Sequence, residues 1–309
     1  MELSNAKPIE LSDKPIFTNF LKKNPPEISE LNFTNLFIWR NYYDLIFLEY
    51  NNHLILFSKT YLKKWDSPIT GKDDTLMFFP PIGNAPEDLI IELFQNFNNI
   101  EIHRVPNKIS EKLQKMEDFK KLNLYFQNDR KNWDYVYSRE DLIKLQGNKY
   151  RSKRRLLEKF NIKYNFEFHI ITEDLLEKCR ELQNKWCIIN ECQKNEDLQE
   201  EQKAIDELFD NFLTLGVNGG LILVDDNPAG YTFGEMLNED TTVIHIEKAH
   251  TYYEGSYQAI NNKFLRHCCH DTAKYVNREQ DLGIEGLRKA KNSYHPMKLI
   301  EKQKIYQKN

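Results

Sequence analysis

The sequence predicts an α/β (α+β) protein of two domains, each a mixed, mostly antiparallel sheet flanked by helices. Three observations lead there. The chain has 309 residues, too many for one ordinary hydrophobic core and comfortable for two. Its second half runs through alternating and helical hydrophobic patterns in the order βααβββαβαβ. Its first half follows a similar element order without repeating the residues. That weighs against a solenoid and for two similar domains, 1–140 and 141–309, joined near residues 138–146.

In the first half, "DLIFLEY" and "HLILFSK" flank Asn51-Asn52 as a hairpin, and "TLMFFP" supplies a third strand. A helix runs from Pro86 to Phe97, with proline in the first turn where its missing N–H costs nothing. "IEIHRVP", a helix over 109–119 and the strands "LNLYF" and "WDYVY" follow. In the second half, "YNFEFHII" alternates like a half-buried strand. Thr172 can cap a helix that places Glu173 and Asp174 at its positive end and Leu175, Cys179, Leu182 and Trp186 on one face. Ile205, Leu208, Phe209, Phe212 and Leu215 stripe a second helix, which Gly216 can stop. Three strands, "LILVD", "GYTFGEML" and "TVIHIEKA", then follow on turns short enough for hairpins. A helix striped by Tyr257, Ile260, Phe264 and Cys268, a short strand "KYVN", a helix "EGLRKAKNS" and a strand-like tail "MKLIEKQKIYQ" complete the order.

Composition narrows the class. With 43 Lys plus Arg against 47 Asp plus Glu, the net charge of −4 excludes a global nucleic-acid footprint and leaves room for a local patch. No basic-then-apolar leader opens the chain, and no apolar run approaches the roughly 18–20 residues of a transmembrane span, so a cytoplasmic protein is expected. Five cysteines without scaffold density are expected to be reduced. "HCCH" at 267–270 lacks the spacing of a zinc knuckle and falls in a helical pattern where neighbours point apart, so no metal is expected.

A three-strand antiparallel meander leading through a helix to one further strand differs from strict βαβα alternation. It resembles the GNAT acyltransferase fold, in which the cofactor enters where the fourth and fifth strands splay apart. Four segments carry a closer resemblance: "LNFTNLFIWRNYYD", "WDYVYSREDLIKLQGNKYRSKRRLLEKF", "IHIEKAHTYYEGSYQAIN" and "NREQDLGIEGLRKAKNSYHP". Together they look like the bacterial family named after the C-terminal domain of phosphatidylglycerol lysyltransferase. The resemblance covers nearly the whole chain and implies tandem GNAT domains, similar to Fem-type aminoacyl-tRNA-dependent transferases. It implies transfer of an acyl or aminoacyl group from acyl-CoA (acetyl-CoA included) or aminoacyl-tRNA. The acceptor would be an amine or hydroxyl on a small molecule, a lipid headgroup or a peptide, and tRNA is a further candidate partner. The competing class is a non-catalytic GNAT-like protein that binds tRNA, a nucleotide or lipid headgroups.

Candidate residues fall mostly in the second half. By strict alternation Val243, His245, Glu247 and Ala249 share one strand face, and paired burial of His245 and Glu247 is the structural alternative to a working site. GNAT enzymes often place a base on this strand, which makes Glu247 the general-base candidate, with His250 second and Tyr294 as general acid. Gly255, Ser256, Tyr257 and Gln258 open a helix whose free N–H groups suit donor phosphates, although Tyr257 stands where the GNAT motif has a small residue. Asn277 is expected to bridge the parted strands or hold the donor. Arg278, Glu279, Asp281 and Arg288 are expected to hold the substrate, with Arg278 and Asp281 a possible ion pair. Lys149, Arg151, Lys153, Arg154 and Arg155 form a basic cluster, read either as a phosphate or tRNA patch or as the polar face of a linking helix.

Overall fold

The computed structural model describes residues 1–308. The chain forms two compact units. One holds Met1–Asp134, Gln280–Ile284 and the chain from Leu299 onward; the other holds Tyr135–Glu279 and Glu285–Lys298. Each carries a mixed sheet with helices packed on it, a GNAT-like arrangement in tandem.

The sheet of the first unit runs, edge to edge, through Lys7–Pro8, Leu45–Tyr50, His53–Ser58, Leu76–Phe78, Ile100–Pro106, Lys302–Gln307 and Leu124–Asn128. Asn51 and Asn52 take φ of 46° and 59°, the doubly left-handed turn whose twist matches a tight hairpin. The expected helix over 109–119 is broken into Asn107–Leu113 and Glu117–Lys121. "WDYVY" forms a strand, Asp134–Ser138, but it belongs to the other sheet. In exchange, the tail strand Lys302–Gln307 inserts here, between Ile100–Pro106 and Leu124–Asn128. Two features hold it there. Ile305 is fully buried in the apolar core, and the wholly buried Lys302 ammonium meets Asp134 at 2.6 Å and Glu30 at 2.5 Å. The tail therefore packs with the first unit rather than with the residues that precede it.

The second sheet runs Lys298–Ile300, Asp134–Ser138, Tyr275–Asn277, Thr241–Ala249, Asn227–Met236, Asn218–Val224 and Phe166–Ile170. Its three long strands are the expected meander. Ile205, Leu208, Phe209, Phe212 and Leu215 are all buried, and Gly216 ends its helix at φ 66°. The helix Ser256–His267 lies over Gly230 and Gly234, where an added Cβ would stand 3.2 Å from Ile260 and 3.1 Å from Phe264. Small residues in that strand let the helix approach.

The cysteines differ from expectation. Cys187 and Cys192 are joined, because the chain reverses at left-handed Glu191 and brings their Cα atoms to 5.0 Å, within disulfide reach. Cys179, Cys268 and Cys269 are free.

Candidate active site at the parted strands of the second unit

Thr241–Ala249 and Tyr275–Asn277 pair in parallel through only three positions, Thr241↔Tyr275, Thr242↔Val276 and Val243↔Asn277. Beyond Val243 and Asn277 the ladder stops, and the two chains are tied by side chains instead. Arg278 donates from Nη2 to Glu247 Oε1 at 2.6 Å, and Glu279 meets His245 Nδ1 at 3.3 Å. Each tie joins a residue just past the opening to one on the longer strand.

His245 and Glu247 do not share a face. The register against Asn227–Met236 shifts between Phe233 and Gly234, leaving His245 without a partner across the strands. Such a bulge inserts one residue and inverts the alternation beyond it. His245 turns to two carboxylates, Glu235 at 3.0 Å from Nε2 and Glu279 at 3.3 Å from Nδ1. Both can accept only if both ring nitrogens carry protons. Burial pushes the imidazole down, yet the two carboxylates outweigh it and raise its pKa to about 9. His245 is thus an imidazolium clamp across the splay. No pattern in the strand itself announces it, since its partners Glu235 and Glu279 lie ten and thirty-four residues away.

Glu247 turns the other way. Its Oε2 accepts from Asn261 Nδ2 at 2.8 Å, on the covering helix, while Arg278 holds Oε1. Arg278 in turn lies 4.8 Å from the ring of Tyr294 and 5.8 Å from that of Tyr137. Gln258 donates to the Tyr294 hydroxyl at 3.1 Å. Burial raises the Tyr294 phenol above its usual range, so it stays protonated. Asn261 escaped the sequence reading, although a polar residue three positions after Gln258, beside a buried stripe, was its signal. Thr232 also lies here, opposite Glu247 in register, and its buried hydroxyl has no partner.

Several expectations are corrected. Gly255 is left-handed at φ 90°, but an added Cβ would stand 2.3 Å from the carbonyl oxygen of Leu156, so the glycine admits the unit's own helix Arg151–Lys163. The Ser256 N–H bonds to Tyr253 O, its hydroxyl bonds to His250 O, and the Tyr257 hydroxyl accepts from Trp186. Gln258 alone of that turn reaches the polar cluster. Asn277 is fully buried, and its side-chain oxygen accepts from the Glu279 N–H and fixes the bend there. Arg278 pairs with Glu247 and not with Asp281, which sits in the first unit against Arg130 at 3.0 Å. His250 accepts the Tyr252 N–H and caps the turn after the strand. Arg288 is half-buried on Glu285–Asn292.

The basic cluster divides. Arg154 donates to the carbonyls of Leu145 and Gly147, and Lys149 pairs with Asp141 at 3.5 Å. Arg151 and Arg155 are exposed. Lys153 bends inward and places its ammonium 4.3 Å from the ring centre of Tyr294. Among the described residues no group of three or more His, Cys, Asp and Glu could hold a metal ion. No helix among them is long and apolar enough to cross a membrane.

A doubled GNAT-like fold, with a parallel pairing of only three positions in each unit, places the chain among tandem GNAT-like proteins. Residues 23–306 match the family described as phosphatidylglycerol lysyltransferase, C-terminal, and the chain belongs to it. A crystal structure of a conserved protein of unknown function from Bacteroides thetaiotaomicron is similar at 32% identity and TM-score 0.86, over 98% of this chain and 99% of that one. At 14% identity and TM-score 0.61, the structure of L-PGS from Bacillus licheniformis shares the fold over 96% of this chain and 92% of its own. FemX does so at 12% identity and TM-score 0.56, over 100% and 98%. No curated protein matches the chain.

Proposed function

We propose that the protein transfers an aminoacyl group from aminoacyl-tRNA to an amine or hydroxyl acceptor, at the parted strands of its second unit. The observation that carries this reading is the polar cluster of Glu247, Arg278, Tyr294, Gln258 and Asn261, gathered where the parallel ladder ends. Family membership supports transfer chemistry, the family being described by a lysyltransferase. The choice of donor rests on the Gly255 turn. A coenzyme A pyrophosphate needs open N–H groups there, while the Ser256 N–H is already given to Tyr253 O and the Leu156 carbonyl crowds Gly255.

In the proposed step the acceptor attacks the ester carbonyl carbon and loses its proton to Glu247. The carbon–oxygen bond to the tRNA ribose breaks, and Tyr294, kept protonated by burial, supplies the proton to the leaving oxygen. Glu247 enters this step only when Arg278 turns to another anion. Cytoplasmic location and a lipid-headgroup, small-molecule or peptide acceptor belong to the same proposal. The test is single-turnover transfer from radiolabelled aminoacyl-tRNAs, with acetyl-CoA in parallel, to amines and to phosphatidylglycerol vesicles. Turnover with acetyl-CoA and none with any charged tRNA would sink this choice of donor.

A second reading, a non-catalytic binder of tRNA, a nucleotide or lipid headgroups, draws on one fact: both oxygens of Glu247 are occupied. Charged tRNA that binds tightly and is never discharged would favour it.

A further inference from the structure

Two cations in the second unit share one aromatic ring and too little negative charge. The Arg278 guanidinium lies 4.8 Å from the centre of the Tyr294 ring, and the Lys153 ammonium 4.3 Å. Glu247 answers Arg278 at Nη2. Arg278 Nη1 is buried and has no hydrogen-bond partner. Among the described residues Lys153 forms no ion pair, and its ammonium faces that ring. Lys291 donates its ammonium to the carbonyl of Arg278.

Such an arrangement is costly. A long lysine side chain normally carries its charge out to water. Here it is half-buried, and burial first, then the neighbouring Arg278, pull its pKa below the ordinary lysine range. Like charges held close are tolerated where a ligand of opposite charge repays them. Cation–π contact with Tyr294 offsets part of the cost and holds both groups against one ring.

The geometry points to a phosphate subsite made by Arg278 Nη1 and Lys153 Nζ against the ring of Tyr294, which takes a backbone phosphodiester of the acceptor end of an RNA. The inference rests on the transfer reading for its choice of RNA. It adds a consequence. A phosphate drawn to Arg278 competes with Glu247 for the guanidinium and leaves Glu247 Oε1 open to take a proton from the acceptor. Donor binding and activation of the base are then one event.

The experiment titrates an uncharged, CCA-ended RNA minihelix by fluorescence anisotropy against the wild-type chain and Lys153→Met, across 50–200 mM salt. The variant is expected to bind about tenfold more weakly, with a salt slope lower by about one. Without RNA, Lys153→Met is expected to melt at the same temperature as the wild type or higher, since it removes a repulsion. A lysine needed for folding would melt lower. Coenzyme A and phosphatidylglycerol vesicles form the other arms. Loss of binding to either of these, with minihelix binding intact, would assign the subsite to a different phosphate and overturn the proposal. Equal affinity and slope for both proteins would overturn it too. Binding is read without turnover, so a chain that holds the minihelix through Lys153 but transfers nothing loses the transfer reading alone.

Discussion

Replacing Glu247 by Gln removes one negative charge and little else. The side chain keeps its size, and its amide oxygen can still accept from Asn261. What is lost is the 2.6 Å bond to Arg278, whose side chain is only 14% exposed. Removing one partner of a buried ion pair costs about 3–5 kcal/mol, because the other charge stays buried and unpaired. Partial exposure and the retained amide argue for the lower end, about 3 kcal/mol. With one unfolding free energy ill-defined for a chain of two units, the measurement is local hydrogen exchange in peptides spanning 241–249 and 275–279. A loss of about 3 kcal/mol speeds exchange there by roughly 100-fold. Glu247→Gln combined with Arg278→Met removes the orphaned charge and is expected to recover much of that loss. If the single variant exchanges within about twofold of wild type while Arg278→Met alone is strongly destabilised, the pair is not what closes the strands.

Three further outcomes are expected. His245 has a folded pKa of about 9, above its ordinary 6.5, so its stabilisation is complete below about pH 6.5 and is lost as pH rises through 9. The rise amounts to about 3 kcal/mol, and thermal melts from pH 6 to 10 should show a decline that His245→Gln flattens. Gly255→Ala places a Cβ 2.3 Å from the Leu156 carbonyl at a left-handed φ of 90°, and should cost about 2 kcal/mol or more. A melting temperature equal to wild type would show that the helix Arg151–Lys163 is free to withdraw. Thr232→Val removes a buried hydroxyl with no partner and should stabilise by about 1 kcal/mol; a clear loss in urea unfolding would reveal a hidden partner for that oxygen.

The sequence by itself determined the elements and their order. Periodicity located the meander, the striped helices and the Asn51-Asn52 hairpin, because each is set by local spacing of apolar residues and by local turn chemistry. It also singled out Glu247, Gln258, Arg278 and Tyr294, through the family resemblance and the run of polar residues that follows the short strand "KYVN". Tertiary structure decided how those residues pair. One inserted residue at the bulge sent His245 and Glu247 to different partners, which alternation along a single strand does not reveal. Arg278 had Asp281 three residues away and chose Glu247 at 2.6 Å, because the fold carries Asp281 into the other unit. The tail looked like any amphipathic strand, and only the buried acids Glu30 and Asp134 explain why Lys302 anchors it in the first sheet. Gly255 shows the same limit: the sequence marks a place where backbone must come close, and what comes close there is the Leu156 carbonyl. Local chemistry is written in local sequence. Pair partners separated by tens or hundreds of residues are chosen by packing, which weighs every burial and every charge at once.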